Sequence, residues 1–176
     1  MSADGPNLTD FLALFPPADW LRAYEYIPAE QMPEPYHQLL VHEHHMTVTV
    51  EAHHGCLVDV RVLQRIHEDD TYARKILLTR QSDGQVVQFG LVRIHFQYCS
   101  AAVRDEIVAG QTPIGRILIN HDVLRRIEPT AFLRILPGPA MVEWFAMKPA
   151  QAVYGRLALI HCDNQPAVEL MEVVAP

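Results

Sequence analysis

Alternating apolar and polar positions predict a β-hairpin between Thr71 and Phe96. Two alternating runs flank Ser82-Asp83-Gly84-Gln85, where Asp83-Gly84 is typical of a short hairpin connection. The period of two places one set of side chains of the first strand on a common face, namely Tyr72, Arg74, Ile76 and Leu78. An arginine on this apolar face either extends its charged end to the sheet edge or binds an anion, and the pattern is consistent with both.

The same alternation predicts two more hairpins. Met46 to Glu51 alternates as a strand, His54-Gly55 marks a turn, and Leu57 to Arg65 alternates again. A third hairpin is predicted from Tyr154 to Val174, around Asp163-Asn164-Gln165.

Glu172 is an unusual residue in the last predicted strand because it shares a face with branched aliphatic side chains. A carboxylate that is buried without a partner costs several kcal/mol, so a core-facing Glu172 needs a cation, a proton or a ligand. Arg74 is then its natural partner or co-ligand. The alternative is that Glu172 faces solvent on a one-sided sheet.

Helical and irregular segments separate these strands. Ala101 to Ala109 has the spacing of an amphipathic helix that Gly110 ends. The other predicted segments are a helix within Pro35 to Glu43, a turn at Thr112 leading into an apolar run to Ile119, a strand from Thr130 to Leu136, and a loop or short helix between Pro137-Gly138-Pro139 and Ala152. Residues 1–35 are rich in proline and predict an N-terminal arm, with one or two helical turns that Asn7 or Thr9 caps.

Length and composition favour one globular domain of class α+β. The 176 residues are enough for one core, and apolar residues make up 49% of the chain. A net charge of −7 disfavours non-specific binding to nucleic acid or to an acidic membrane surface. No signal-peptide pattern and no apolar run of membrane-spanning length is present. Three widely spaced cysteines are typical of reduced thiols, so we expect a cytoplasmic protein.

A histidine cluster raises the question of a metal site. Five of the ten histidines lie close together in the sequence: His42, His44, His45, His53 and His54. The adjacent pairs would point to opposite faces of an extended segment, and no zinc-ligand spacing is present. We therefore expect no metal, and the role of the cluster is not evident from the sequence.

Four segments together resemble the chorismate lyase family, the 4-hydroxybenzoate synthases, and in particular its uncharacterised relatives. They follow the family order over residues 36–176: His45-Met46-Thr47 with Glu51, Tyr72 to Leu78, Thr112-Pro-Ile-Gly-Arg116, and Tyr154-Gly-Arg156 with Glu172 to Pro176. The resemblance implies a domain over residues 36–176 with an antiparallel sheet of about six strands, helices on one side, and a ligand enclosed beneath helical flaps. It implies no metal and no organic cofactor.

The resemblance also implies a function and a set of site residues. The activity would be conversion of chorismate to 4-hydroxybenzoate and pyruvate. Arg74 would hold the ring carboxylate, and Glu172 would orient the hydroxyl group and assist proton movement. Met46, Ile114 and Gly115 would contact the substrate, and Arg116 or Arg156 would receive its second carboxylate.

This sequence departs from the family pattern in ways that leave a second function open. Lys75 follows Arg74 where the family has an acidic residue, and Leu157 follows Arg156 where the family has a second arginine. The alternative is a non-catalytic domain of the same fold that binds an aromatic acid as an effector. In both cases the partner is a small aromatic or cyclohexadienyl carboxylate, and a monomer and a homodimer are both compatible with the sequence.

Overall fold

A seven-stranded antiparallel sheet organises the computed structural model, which describes residues 5–176. The strands are β1 (Leu21–Ile27), β2 (Val58–Glu68), β3 (Thr71–Arg80), β4 (Val86–His95), β5 (Arg125–Pro137), β6 (Val153–Cys162) and β7 (Gln165–Val174). The helices are α1 (Leu8–Leu14), α2 (Tyr36–Leu40), α3 (Met46–His54), α4 (Ala101–Ala109), α5 (Ile114–Asn120) and α6 (Pro139–Trp144). Across the sheet the order is β1-β5-β6-β7-β4-β3-β2, so β1 and β2 are its edges.

Two of the three predicted hairpins are confirmed. Strands β3 and β4 pair along their length, and Gly84 in their connection has the positive φ of +73° that favours glycine. Strands β6 and β7 are joined by Asp163 and Asn164, which both have positive φ, as expected for a tight hairpin turn. The α+β class is confirmed as well.

The strand predicted from Met46 to Glu51 is wrong, because this segment is the first part of helix α3. Its buried residues, Met46, Thr47 and Val50, have helical spacing, which lets one face of the helix pack on the core. Gly55 ends the helix in the left-handed conformation. Tertiary packing thus outweighs the β-propensity of the alternating Thr and Val residues. Strand β2 therefore pairs with β3 and not with this segment.

The remaining segments follow the prediction with adjusted limits. Helix α4 has the predicted bounds, capped by the Ser100 side chain and ended by Gly110. The apolar run after Thr112 is helix α5, and β5 is longer than the strand predicted there. The segment after Pro137 is the short helix α6. No helix among residues 5–176 is long and apolar enough to cross a membrane.

Different helices pack on the two faces of the sheet. Helices α2, α3, α4 and α5 supply apolar side chains to the cores on one face. Helices α1 and α6 supply them to the core on the other face. In the proline-rich segment, Leu8, Phe11, Phe15 and Trp20 are at most 1% exposed, and β1 pairs with β5. The first four residues of the predicted arm lie outside the described residues.

Candidate functional site

A small cavity lies between the sheet and helices α3 and α5. Strands β2, β3, β4 and β7 form its floor, with three polar side chains, Arg74, Gln88 and Glu172, among aliphatic ones. Thr47 of α3 and Ile114 at the start of α5 form its roof. The cavity has a volume of about 30 Å³, and an adjoining cavity has about 10 Å³. Small-molecule pockets usually have roughly 300–1,000 Å³, so the roof must move away from the sheet before an organic ligand fits.

Arg74 is the outstanding side chain of this cavity because its buried charge has no counterion among residues 5–176. It is 1% exposed, and its Nη2 donates to the carbonyl of Thr112 at 3.3 Å. Its Nε and Nη1 have no hydrogen-bond partner within residues 5–176. Burial lowers the pKa of Arg74, yet a guanidinium stays protonated in proteins. A buried cation whose N–H groups lack hydrogen-bond partners destabilises the fold unless an anion binds to it.

Glu172 pairs with Arg156, not with Arg74. Arg156 Nε donates to Glu172 Oε2 at 2.8 Å, and both side chains are buried. The two residues face each other directly in the β6–β7 pairing. Arg74 and Glu172 nevertheless line the same cavity, and both lie on strand faces that the sequence pattern predicts to be apolar.

Arg156 is also bonded to the connection between α2 and α3. Its Nη1 donates to the carbonyl oxygens of Leu40 at 3.2 Å and His42 at 2.8 Å, and its Nη2 donates to that of His44 at 3.1 Å. This guanidinium therefore holds the backbone beside the roof in place. Few of its donors are left for a ligand.

The charges around the two cavities sum to one positive charge. Arg74 and Arg156 are cationic and Glu172 is anionic, since it forms an ion pair. His45 lines the adjoining cavity, where burial and the nearby Arg125 lower its pKa to about 4. Arg125 Nε donates to His45 Nε2 at 2.7 Å, which requires the neutral ring as acceptor. A single anion would balance the site.

Gln88 adds an unsatisfied acceptor to the same cavity. Its Nε2 lies 3.5 Å from Glu172 Oε1, whereas its Oε1 is buried with no partner in the described part of the chain. Exchanging Nε2 and Oε1 of Gln88 would place its carbonyl oxygen against the Glu172 carboxylate, and both groups are acceptors. The amide orientation given above is therefore favoured. The cavity thus offers free donors at Arg74 and a free acceptor at Gln88.

Of the other predicted site residues, four line the adjoining cavity and Arg116 does not. Met46, Ile114 and Gly115 line the adjoining cavity together with Arg156. A Cβ on Gly115 would lie 3.0 Å from Thr47 Oγ1 and 3.1 Å from His45 Cβ, so glycine allows α5 to approach α3. Arg116 lines neither cavity and forms a salt bridge with Glu51. The roles of these residues in binding stay predictions.

Gln88 and Thr47 also line the cavity, although neither is among the site residues predicted from the sequence. Gln88 is 3% exposed within a predicted strand of apolar character, and a buried amide in such a strand is a detectable signal. Thr47 was not detectable because its segment was assigned to a strand. Within residues 5–176, no group of three or more His, Cys, Asp or Glu side chains is arranged to hold a metal ion.

The comparisons with known proteins give a likeness of fold. No protein-family model and no curated protein matches the chain. The effector domain of PhnF from Mycobacterium smegmatis matches with a TM-score of 0.53 and 10% identity, covering 75% of this chain and 88% of that domain. A structure of PhnF from the same organism matches with a TM-score of 0.51 and 11% identity over 73% of this chain.

This chain spans 62% of that PhnF structure, less than two thirds of its length. The gene product SA0254 from Staphylococcus aureus matches with a TM-score of 0.50 and 10% identity, covering 66% of this chain and 82% of that one. Identities this low carry the architecture and not the activity. The chain therefore has the chorismate lyase-like fold, which it shares with the effector domain of PhnF.

Proposed function

We propose that this chain is a non-catalytic binding domain for a small organic acid with one carboxylate, most simply an aromatic acid with a hydroxyl group. The observation that carries the proposal is Arg74, a buried guanidinium with two free donors in the wall of a cavity. A carboxylate accepts two parallel hydrogen bonds from such a group. Aliphatic side chains around it would contact the ring of the ligand.

The charge balance supports a ligand with one negative charge. The cavity walls carry one net positive charge, which a monocarboxylate neutralises. Gln88 Oε1 would accept a hydrogen bond from a ligand hydroxyl, and a phenol is a suitable donor. The fold shared with the effector domain of PhnF agrees with a binding function.

The second candidate is the lyase activity on chorismate that the sequence resemblance implies. The observation that favours it is that Arg74 and Glu172 line one cavity. Chorismate, however, carries two carboxylates and needs a second cation. The two arginines proposed for that task, Arg116 and Arg156, are engaged with Glu51 and Glu172. This makes binding of a monocarboxylate the better supported function.

Calorimetric titration with benzoate, 4-hydroxybenzoate and chorismate would test both candidates, together with an assay for pyruvate release. We expect 4-hydroxybenzoate to bind most tightly, benzoate more weakly, and chorismate to yield no pyruvate. The variant Arg74→Met should lose binding of both benzoates. The variant Arg80→Gln removes a positive charge from the same strand at an exposed ion pair with Asp83, so it should bind like the wild type.

Other outcomes would overturn the proposal. Release of pyruvate that Arg74→Met abolishes would establish the lyase instead. Binding of neither benzoate, or equal binding by wild type and Arg74→Met, would refute a carboxylate site at Arg74.

A further inference from the structure

Strand β1 presents an open sheet edge with an unusual set of side chains. It pairs with β5 on one side, and no element within residues 5–176 pairs with its other side. Five consecutive residues, from Arg22 to Tyr26, are exposed. Tyr24 and Tyr26 point to the same face, with ring centroids 5.8 Å apart in an edge-to-face arrangement. An edge of this kind is a template for a further strand.

The opposite edge, β2, is built against such pairing. Its register with β3 shifts between Val62 and Gln64, which leaves Leu63 in a bulge. Bulges twist an edge away from incoming strands. If β2 paired with a second copy of itself about Leu63, Arg61 would also lie directly opposite Arg65, and like charges in that position are unfavourable. Strand β1 also has a register shift, between Leu21 and Ala23, so the two edges differ in the opposed arginines of β2 and not in the presence of a bulge.

Strand β1 is complementary to itself in one antiparallel register. A two-fold axis at Tyr24 sets Tyr24 against Tyr24 of a second copy, and Arg22 against Tyr26 of that copy. Aromatic pairs and cation–π pairs at directly opposed positions stabilise a β-ladder. On the other face the same register sets Glu25 against Ala23, so no like charges meet. Charge and aromatic contacts thus agree in this register, in which Arg22 lies at the register shift between β1 and β5.

A groove beside β1 provides space for the aromatic side chains of a second copy. It has a volume of about 580 Å³, and its mainly apolar lining includes Pro137, Val142 and Pro149, together with Arg22. The groove borders α6, on the sheet face to which Arg22, Tyr24 and Tyr26 point. Tyr26 is 53% exposed in the single chain. In the register above, Tyr26 of the second copy lies opposite Arg22, at the border of this groove.

We propose that β1 is a homodimer interface, in which two copies pair antiparallel about Tyr24 and join their sheets into one continuous sheet. Tyr26 of each copy packs over Arg22 and into the groove beside α6 of the other. The interface lies at the opposite edge of the sheet from β2 and does not involve the cavity of Arg74. The dimer therefore stands independently of the proposed ligand-binding function.

Light scattering coupled to size-exclusion chromatography tests this interface on the full chain. We expect the wild type to have twice the 20.0 kDa mass of the chain at micromolar concentration. The variant Tyr26→Lys sets lysine against Arg22 and should be monomeric. The double variant Arg22→Glu with Tyr26→Lys sets Glu against Lys at both ends of the ladder and should return to the dimeric mass.

The rescue separates lost association from lost folding, because a misfolded Tyr26→Lys chain would not recover when a second residue is changed. A matched control, Leu63→Lys on the β2 edge, should remain dimeric. A monomeric wild type, a dimer that persists in Tyr26→Lys, a double variant that stays monomeric, or loss of the dimer in Leu63→Lys would each overturn the proposal.

Discussion

Replacing Arg74 with methionine should make the free protein more stable while it removes ligand binding. Methionine keeps an unbranched side chain of similar length but deletes the buried charge and both orphan donors. A buried donor without a partner costs about 1–3 kcal/mol, so the two groups together cost roughly 2–6 kcal/mol. The contact with the Thr112 carbonyl offsets part of this, because a hydrogen bond from a charged group contributes about 1.5–3 kcal/mol.

The expected net gain in the free energy of unfolding is about 1–3 kcal/mol. For a protein of this size each kcal/mol raises Tm by roughly 2–4 °C, which gives a rise of roughly 2–12 °C. Calorimetry without ligand measures the rise, and repeating it with 4-hydroxybenzoate measures the loss of ligand-induced stabilisation. Stabilised apoprotein and absent ligand response are expected in the same variant.

Arg156→Met is the matched control for this experiment. Arg156 is equally buried, but its guanidinium has an ion-pair partner and three carbonyl acceptors. Its loss leaves Glu172 buried without a cation, which costs about 3–5 kcal/mol. An Arg74→Met protein that is destabilised like Arg156→Met would refute the conclusion that Arg74 carries an uncompensated charge.

Three further predictions follow from the same cavity. Glu172→Gln should raise the net positive charge of the site from one to two and destabilise the fold by about 3–5 kcal/mol, because it breaks a buried ion pair. In titrations this variant should discriminate less strongly than the wild type between benzoate and benzene-1,4-dicarboxylate. Unchanged selectivity would contradict the charge count. Gln88→Leu should leave benzoate binding intact and abolish the preference for 4-hydroxybenzoate, a loss of about 1 kcal/mol that calorimetry resolves, and a preserved preference would exclude Gln88 as the hydroxyl acceptor. Burial lowers the pKa of His42 and His45 from 6.5 to about 4. Between these two pH values the unfolded chain therefore binds more protons than the folded chain. The stability that the neutral rings contribute is complete above pH 6.5 and is lost as the pH falls towards 4. At about 1.4 kcal/mol per pH unit this is roughly 3 kcal/mol for each histidine, and urea denaturation should show a shallower dependence on pH in His45→Gln than in the wild type.

Local signals account for the elements that the sequence predicted well. The hairpins at Gly84 and at Asp163-Asn164 combine alternation with turn residues that tolerate positive φ. Helix α4 carries both of its caps in the sequence, Ser100 and Gly110. Such elements need no information from distant parts of the chain.

Helix α3 could not be predicted in the same way. Its Thr and Val residues favour a strand locally, and its helical conformation depends on contacts that only the fold provides, such as those of Met46 and Val50 with the core. The close contact of Gly115 with Thr47 and His45 is another such contact. The roof of the cavity was therefore the least predictable part of the site.

The counterion of Glu172 depends on one irregularity in the sheet. From the turn at Asp163-Asn164, regular pairing would set Glu172 opposite Gly155. The register shifts between Ile160 and His161, beside Pro166, and the shift brings Arg156 opposite Glu172. Proline has no N–H for a regular ladder, which is consistent with a break at this point. A shift of one residue therefore sets Arg156 directly opposite Glu172, and the sequence alone does not specify this shift.

Arg156 makes the charge state of the cavity and the position of the α2–α3 connection thermodynamically dependent on each other. One guanidinium holds the Glu172 carboxylate on the sheet and the carbonyl oxygens of residues 40, 42 and 44 on the connection. Whatever draws Glu172 towards a bound molecule must weaken or reorient the bonds to this backbone, and displacing the backbone must by reciprocity change the affinity for that molecule. A single buried side chain thus links an internal binding event to the outer surface of the domain.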